Sequence, residues 1–474
     1  MLCTARILFV ATLATAAGGA DEPATKRPPN VLFIVADDLN HWIGCLGRNP
    51  QAKTPHIDRL AARGLLFTRA YCAAPVCNPS RAAVLSGLRP ATSGIYDNSQ
   101  DWRRVIVEEL TLPSRLRKAG YFVAGAGKIY HGGFDRRSEW DDYLTRGQAG
   151  EERAPRKRAA SVQGGGVGAI RYARLDAGDE EMGDHAVVSW IAERLSKKHE
   201  KPFFLACGLS RPHLPWIVPK KYFELFPLDG IQLPPFKADD LDDVPAAGVR
   251  MAGPQGDHAA IVKAGIWKEA IQGYLASIAF VDHEVGRLLD ALDGGPHKDD
   301  TIICFWGDHG WHLGEKSHWR KFALWEEATR APLVWIAPGV TKPGTVCERT
   351  VDFMSIYPTI AELCRVPAPE HVEGASIKPL LVDPRGSWER PAVTTHLRGN
   401  HAIRTEGWRY IRYAGGGEEL YDEAKDPYEW TNLALKPEFA AKKTELARFL
   451  PPKDAPPAAE VKRAKAAKKL RKEE

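Results

Sequence analysis

The 474-residue sequence contains no CxxC pair; its eight cysteines, one of them Cys3, are scattered. That spacing excludes a zinc ribbon and indicates no disulfide framework, leaving open only an isolated pairing such as Cys347 with Cys364 in an oxidising compartment. Long apolar runs are missing too. Beyond the first residues, no segment reaches the ~18 apolar residues that a membrane-spanning helix needs. Nor does one sign of charge dominate the body. The net charge of +5 sits largely in residues 451–474, where eight basic residues face four acidic ones. A nearly neutral body argues against nucleic acid as the main partner. The tail, rich in Ala, Pro and Lys with little to bury, reads as a solubilising segment that is disordered or a solvated helix.

What is present begins at the N-terminus. Arg6 precedes an apolar stretch from Ile7 to Ala17, and Gly18-Gly19-Ala20 offers small residues for cleavage before Asp21. This predicts a signal peptide over residues 1–20 and a secreted or periplasmic protein. The remaining length accommodates roughly two or three domains, or one large α/β unit.

Four short apolar runs each lead into polar, chemically capable residues. Val31–Val35 leads to Asp37-Asp38, and Tyr121–Ala124 to Lys128 and His131. Phe203–Ala206 leads to Arg211-Pro212-His213, and Ile302–Trp306 to Asp308-His309. Such runs suit strands buried on both faces of a largely parallel sheet, where ligands gather beyond the carboxyl ends. Helical spacing between them, over Ile57–Gly64, Asp184–Ser196 and Ala270–Leu292, predicts an α/β fold with the sheet in the middle. Gly147–Gly168 reads as a surface insertion. After about Pro384, short aromatic and β-branched runs such as Trp408–Tyr413, followed by Gly415-Gly416-Gly417, predict a small antiparallel sheet with a hairpin.

Paired acids at a strand tip are costly unless a cation neutralises them. Asp37-Asp38 and Asp308-His309 together make an oxygen-rich set suited to calcium or magnesium, with a single imidazole leaving manganese or zinc open. In Cys77-Asn78-Pro79-Ser80-Arg81, Pro79 suits a first helical turn, which puts Cys77 at a helix N-terminus that attracts anions. Arg81, one turn on, lies on the same face and is placed to clamp an anion or the nucleophile. Trp42, Trp311, His312, Trp319 and His396 are candidates to line a sugar site by stacking on apolar ligand faces.

The string Cys77-x-Pro79-Ser80-Arg81 resembles the signature of the type I sulfatases, in which this cysteine is oxidised to Cα-formylglycine. Asp37 and Asp38 are similar to that family's first metal ligands, and Lys128 with His131 to its Lys/His pair. Arg211-Pro212-His213 resembles its next histidine motif, Asp308-His309-Gly310 its remaining metal ligands, and Lys321 its sulfate-binding lysine. Trp319-Arg320-Lys321 and Glu419–Leu433 are most similar to the iduronate-2-sulfatase-like bacterial members. The resemblance covers roughly residues 29–450.

It implies an alkaline-phosphatase-like sandwich with a large, mostly parallel central sheet flanked by helices. The catalytic domain would span residues 28–385, a C-terminal antiparallel subdomain 386–450, and a basic tail 451–474. The implied reaction is hydrolysis of sulfate esters on a carbohydrate. One calcium ion would be held by Asp37, Asp38, Cys77, Asp308 and His309, and a formylglycine-generating enzyme would mature Cys77. Cys77, Arg81, Lys128, His131, His213 and Lys321 would carry the chemistry, with His213 as acid and His131 as base. Asn40 stands where iduronate-2-sulfatase carries an arginine, so a uronate carboxylate would lose a bidentate partner here. A phosphonate or phosphodiester hydrolase of the same superfamily, or a carbohydrate-binding protein whose cysteine is never matured, are the alternatives.

Overall fold

The strand Asn30–Asp37 (β1) reads NVLFIVAD and is buried at every position. Its alternation sorts side chains into two layers, as the period of two requires. Val31, Phe33 and Val35 pack on one face against the helices Cys77–Ser86 (α2) and Ile356–Leu363 (α5). Leu32, Ile34 and Ala36 pack on the other against Pro55–Arg63 (α1), Gly183–Leu195 (α3) and Trp267–Asp293 (α4). Truncating a core residue of α4 such as Leu275 to alanine therefore costs ~2–5 kcal/mol. The computed structural model describes residues 27–150 and 164–459, and the predicted signal peptide lies outside them.

Eight strands form the central sheet. With β2 as Leu65–Tyr71, β3 as Phe122–Gly127, β4 as Asp142–Leu144, β5 as Phe203–Pro212, β6 as Thr301–Gly307, β7 as Leu333–Ile336 and β8 as Thr345–Asp352, the order is β8-β2-β7-β6-β1-β5-β3-β4. The block β6-β1-β5-β3-β4 is parallel throughout. β7 runs antiparallel to both neighbours, and β8 is parallel to β2. The sheet is thus mixed, but the four strands leading to the polar clusters are adjacent and parallel. Their carboxyl ends share one rim, so Asp37-Asp38, Lys128, His213 and Asp308-His309 converge.

The C-terminal region forms the expected antiparallel sheet, with β9 (Ala392–Thr395), β10 (His401–Arg404), β11 (Trp408–Arg412) and β12 (Glu418–Asp422) in sequence order. The Tyr413–Gly417 turn closes the hairpin. Two hydrogen bonds dock β9 on the segment before α2: Thr395 N donates to Ala73 O, and the Thr394 hydroxyl to Cys72 O.

One expectation needs correction. The tail expected to be disordered or a solvated helix from residue 451 is held over its first nine residues. Ala455 N and Ala458 N donate to Ala91 O and Gly94 O, while the Tyr96 hydroxyl donates to Ala455 O. Composition missed this because extended, Pro-rich chain is fixed here by backbone hydrogen bonds rather than by apolar burial. Of the predicted insertion, Gly164–Val167 is a strand paired with Ile170–Leu175, and residues 151–163 lie outside the described residues. Cys347 and Cys364 are both free. No helix among the described residues is long and apolar enough to cross a membrane.

Candidate active site

At the rim of β1, the chain turns sharply. Asp37 ends the strand and Asp38 adopts the left-handed conformation, φ 63°. Both carboxyl groups are fully buried. At the neighbouring rim of β6, Asp308 Oδ1 accepts from Asp38 N at 3.0 Å, which locks the two acidic turns together. His309 donates Nδ1–H to Gly310 O at 3.0 Å, since a carbonyl can only accept. Its Nε2 therefore faces the cluster, 3.3 Å from Asp38 Oδ1 and 3.5 Å from Asp308 Oδ1.

Helix α2 begins at Cys77, as the position of Pro79 predicted. The Cys77 Sγ lies 3.5 Å from His309 Nε2 and 3.9 Å from Asp38 Oδ1. Lys321 Nζ donates to Sγ at 2.8 Å and to Asp38 Oδ1 at 2.6 Å. Lys128 Nζ is 3.7 Å from Sγ and pairs with Asp37 Oδ2. Burial and Asp37 push the thiol pKa up, but the two lysines outweigh them and leave it lowered.

Close backbone contact sets the Lys128 geometry. Lys128 N donates to Gly208 O at 2.8 Å, and a Cβ on Gly208 would lie 2.2 Å from the Lys128 carbonyl carbon. Only glycine admits that approach.

The role expected for Arg81 changes. Its Nε donates to Asp308 Oδ2 at 2.9 Å, one terminal nitrogen to Asp37 Oδ1 at 3.2 Å, and the other to the carbonyls of Lys128 and Ile129. With every nitrogen engaged and the side chain buried, it cannot clamp an incoming anion. It orients the two acidic turns instead, a job the fork-shaped guanidinium suits.

His213 donates Nδ1–H to Leu214 O at 2.6 Å, which turns Nε2 toward Asp38 Oδ2 at 3.9 Å. A third of its side chain stays exposed, so it stands at the mouth. Burial and Lys128 hold its pKa well below the usual imidazole value. His131 is half-buried; its Nδ1 makes no hydrogen bond, and burial, Lys128 and Lys321 push its pKa down to about 3. No described contact joins His131 to Cys77.

The residues fit a hard divalent cation. Ligand atoms from Asp37, Cys77, Asp308 and His309 all lie within 4.8 Å of one another, and Asp37, Asp38, Cys77 and His213 form an overlapping set. Asp38 Oδ2 is buried and accepts no hydrogen bond. Burial, opposed by Lys321, pushes the Asp38 pKa up to about 7. Burial works against charge on His309, yet Asp308 lifts its pKa to about 9. Protons are held where a cation would balance the same carboxylates. Thiolate sulfur is a poor match to such an ion, whereas an oxygen at position 77 would suit it.

The expected sugar-lining residues do not come together as a surface. Trp42, Trp311, Trp319 and His312 are buried and packed on neighbouring rings, so they present no stacking face. Asn40 has both amide groups occupied internally, Nδ2 by Trp311 O and Oδ1 by Trp42 N. His396 is buried too, near the ring of Phe322, and burial pushes its pKa down to about 4.

Other positioning residues escaped the sequence. The Ser80 hydroxyl donates to Asp308 O at 2.5 Å. Asp184, at the start of α3, accepts from Ser210 N and Arg211 N and so fixes the end of β5. The ring nitrogens of His318 lie 2.7 and 2.8 Å from Ala252 O and Lys321 O, anchoring the loop that presents Lys321. Ser80 stood inside the quoted signature, but nothing in sequence separation marked the other two.

This arrangement of strand tips, acidic turns and a lysine-flanked cysteine defines a hydrolase of the alkaline-phosphatase-like class. The sulfatase family model matches residues 29–366, and the chain belongs to that family. A second model, for the C-terminal region of N-sulphoglucosamine sulphohydrolases, matches residues 314–453. A sulfatase from Formosa agariphila is 40% identical over 456 residues, covering 89% of this chain and 86% of the relative. Human iduronate 2-sulfatase is 30% identical over 406 residues, covering 74% and 72%. Among solved structures, one captured in complex with its substrate D-glucosamine-2-N,6-O-disulfate superposes with a TM-score of 0.72 at 22% identity, covering 90% of this chain and 97% of that one. The protein is a sulfatase enzyme, with the alkaline-phosphatase-like architecture that its sequence implied.

Proposed function

We propose that this chain removes sulfate from a sulfated carbohydrate, using Cys77 matured to Cα-formylglycine and one calcium ion, in the periplasm or outside the cell. The observation that carries this is Cys77 at a helix N-terminus, 2.8 Å from Lys321 Nζ and 3.7 Å from Lys128 Nζ. Two ammonium groups around one nucleophile position form a cradle for a sulfuryl group and its developing charge. The carbohydrate class is supported by relatives named for iduronate and by a fold neighbour with a sulfated glucosamine. We also propose residues 28–385 as the catalytic domain and 386–450 as its C-terminal subdomain.

Asp37, Asp38, Asp308 and His309 would hold calcium, which supplies Lewis acidity for an oxygen nucleophile. The hydrated aldehyde of a matured Cys77 supplies that oxygen, produced by a formylglycine-generating enzyme. Lys321 and Lys128 bind the sulfuryl oxygens, and Arg81 keeps Asp37 and Asp308 in place. His213 gives its Nε2 proton to the leaving sugar oxygen; the arriving sulfate anion raises its otherwise lowered pKa. His131, kept in its accepting form, takes a proton in the second half of the reaction.

The test uses protein co-expressed with a formylglycine-generating enzyme. A Cys77 peptide lighter by the exchange of sulfur for oxygen and the loss of two hydrogens establishes maturation. Calcium-dependent sulfate release from sulfated mono- and oligosaccharides, lost in Cys77→Ala, establishes the reaction. Turnover of aryl phosphonate but of no sulfate ester would overturn the substrate class. An unmatured cysteine in protein that still binds the glycan would point to a binding protein.

A further inference from the structure

Tyr274 sits within α4, in the stripe facing the sheet, where its spacing reads as ordinary core. Its hydroxyl is nevertheless spent on the acidic turn. It donates to Asp38 O at 2.8 Å and accepts from Asn40 N at 3.0 Å. One buried oxygen thus satisfies two backbone groups on the C-terminal side of the left-handed Asp38.

Asn40 carries the link across to the other turn. Its Nδ2 donates to Trp311 O at 3.0 Å, and its Oδ1 accepts from Trp42 N at 2.9 Å. Trp311 directly follows Asp308-His309-Gly310, and its ring stacks on that of Tyr274, with 6.3 Å between centroids and 15° between planes. Hydroxyl, amide and stacked rings therefore fasten the tip of β1 to the tip of β6. Those tips carry the two halves of the candidate cation set.

A left-handed conformation at a non-glycine residue is strained and persists only where its surroundings fix it. Without the Tyr274 hydroxyl, Asp38 O and Asn40 N are left buried without a partner, a state the turn can escape by rearranging. Turning the Asp38 peptide relieves both penalties and swings its carboxylate out of the cluster.

We infer that Tyr274, acting through Asn40, is a positioning residue for the cation site, setting metal affinity without touching the metal. This rests on the calcium reading above. Groups that orient metal ligands typically change affinity 10–100-fold when removed.

The experiment is calcium titration by calorimetry on chelator-stripped, full-length protein, comparing wild type with Tyr274→Phe, alongside unfolding temperatures in chelator. The expected result is ~10–100-fold weaker calcium binding, in a variant that still folds because the ring packing survives, with a modestly lowered cation-free unfolding temperature. Binding in Tyr274→Phe as tight as in wild type overturns the inference. Should that variant fail to fold, Asn40→Leu removes the amide link at similar volume and is expected to weaken binding likewise; unchanged affinity there overturns it equally. Wild type that binds no calcium at all would sink the cation reading itself, a result distinct from either variant's.

Discussion

Lys321 Nζ lies 2.8 Å from Cys77 Sγ and 2.6 Å from Asp38 Oδ1, in a pocket that excludes water from all three. Burial works against its charge, yet Asp38 and Cys77 hold the ammonium protonated well above the usual lysine range. A permanent point charge beside the nucleophile serves the transition state more than the ground state. Lys321→Met should lower kcat on a sulfate ester ~10²–10³-fold, with a smaller change in KM. Lys321→Arg should not rescue it, because the planar fork does not fit a space shaped for one ammonium. Steady-state kinetics on the matured enzyme decide; equal activity of wild type and Lys321→Met would remove Lys321 from the machinery.

The protonation of the acidic turns gives a pH prediction with a definite sign. Asp38 is raised from 3.8 to about 7 and His309 from 6.5 to about 9. A raised pKa contributes stability below the unfolded value and loses it as pH climbs through the folded one. The stability that these two groups contribute to the cation-free protein should therefore fall as pH rises from about 4 to 9. Calcium takes the place of those protons, so it binds more tightly as they leave. The rise in unfolding temperature on adding saturating calcium should be small near pH 5.5 and several degrees larger near pH 8.5. A calcium effect equal at both values would count against Asp38 and His309 as ligands.

The strand tips were readable because their chemistry is local. Asp37-Asp38, Cys77 and Asp308-His309 each follow a recognisable apolar run or open a helix, and adjacent parallel strands do the rest. Tyr274 was not readable: an aromatic at core spacing in a long helix looks the same whether or not its hydroxyl serves a distant turn. Arg81 was misjudged for a related reason. Its reach to Cys77 follows from helical spacing, but the Asp37 and Asp308 that occupy it come from other strands. Trp42, Trp311, Trp319 and His312 show the same limit, since burial of a ring depends on neighbours far away in sequence.

His213 is the side chain at the mouth with a free nitrogen turned inward, so its contribution should scale with how poor the leaving group is. For a sugar alcohol, which leaves badly without a proton, His213→Ala should cost ~10²–10⁴ in kcat. For an aryl sulfate with an acidic phenol, little protonation is needed and the loss should be far smaller. Comparing the two substrates in wild type and variant tests the role directly. Equal losses on both would show that His213 positions the substrate and does not act as the acid.

Away from the cluster, Arg409 is fully buried where the C-terminal sheet meets the body. It pairs with Glu326, Glu423 and Glu429 and donates to Leu324 O at 2.9 Å. Arg404 shares Glu326 and Glu423 at 3.2 Å each. Burial already pushes the Glu429 pKa up to about 8 despite Arg409, so this acid is poised to lose its charge. Arg409→Met keeps much of the side-chain volume but strands the acids, which should cost ~3–5 kcal/mol. Neutralising one of them in Arg409→Met/Glu429→Gln should recover part of the loss, because the stranded charge, not the missing contact, dominates it. Without Arg409, Glu429 must take a proton to stay buried, so the single variant should be hurt more at about pH 8.5 than at about pH 6. Thermal unfolding of the three proteins at both pH values checks this. A single variant as stable as wild type, or a double variant no better than the single, would mean that the acids reach solvent and that the C-terminal sheet is held by its apolar contacts instead.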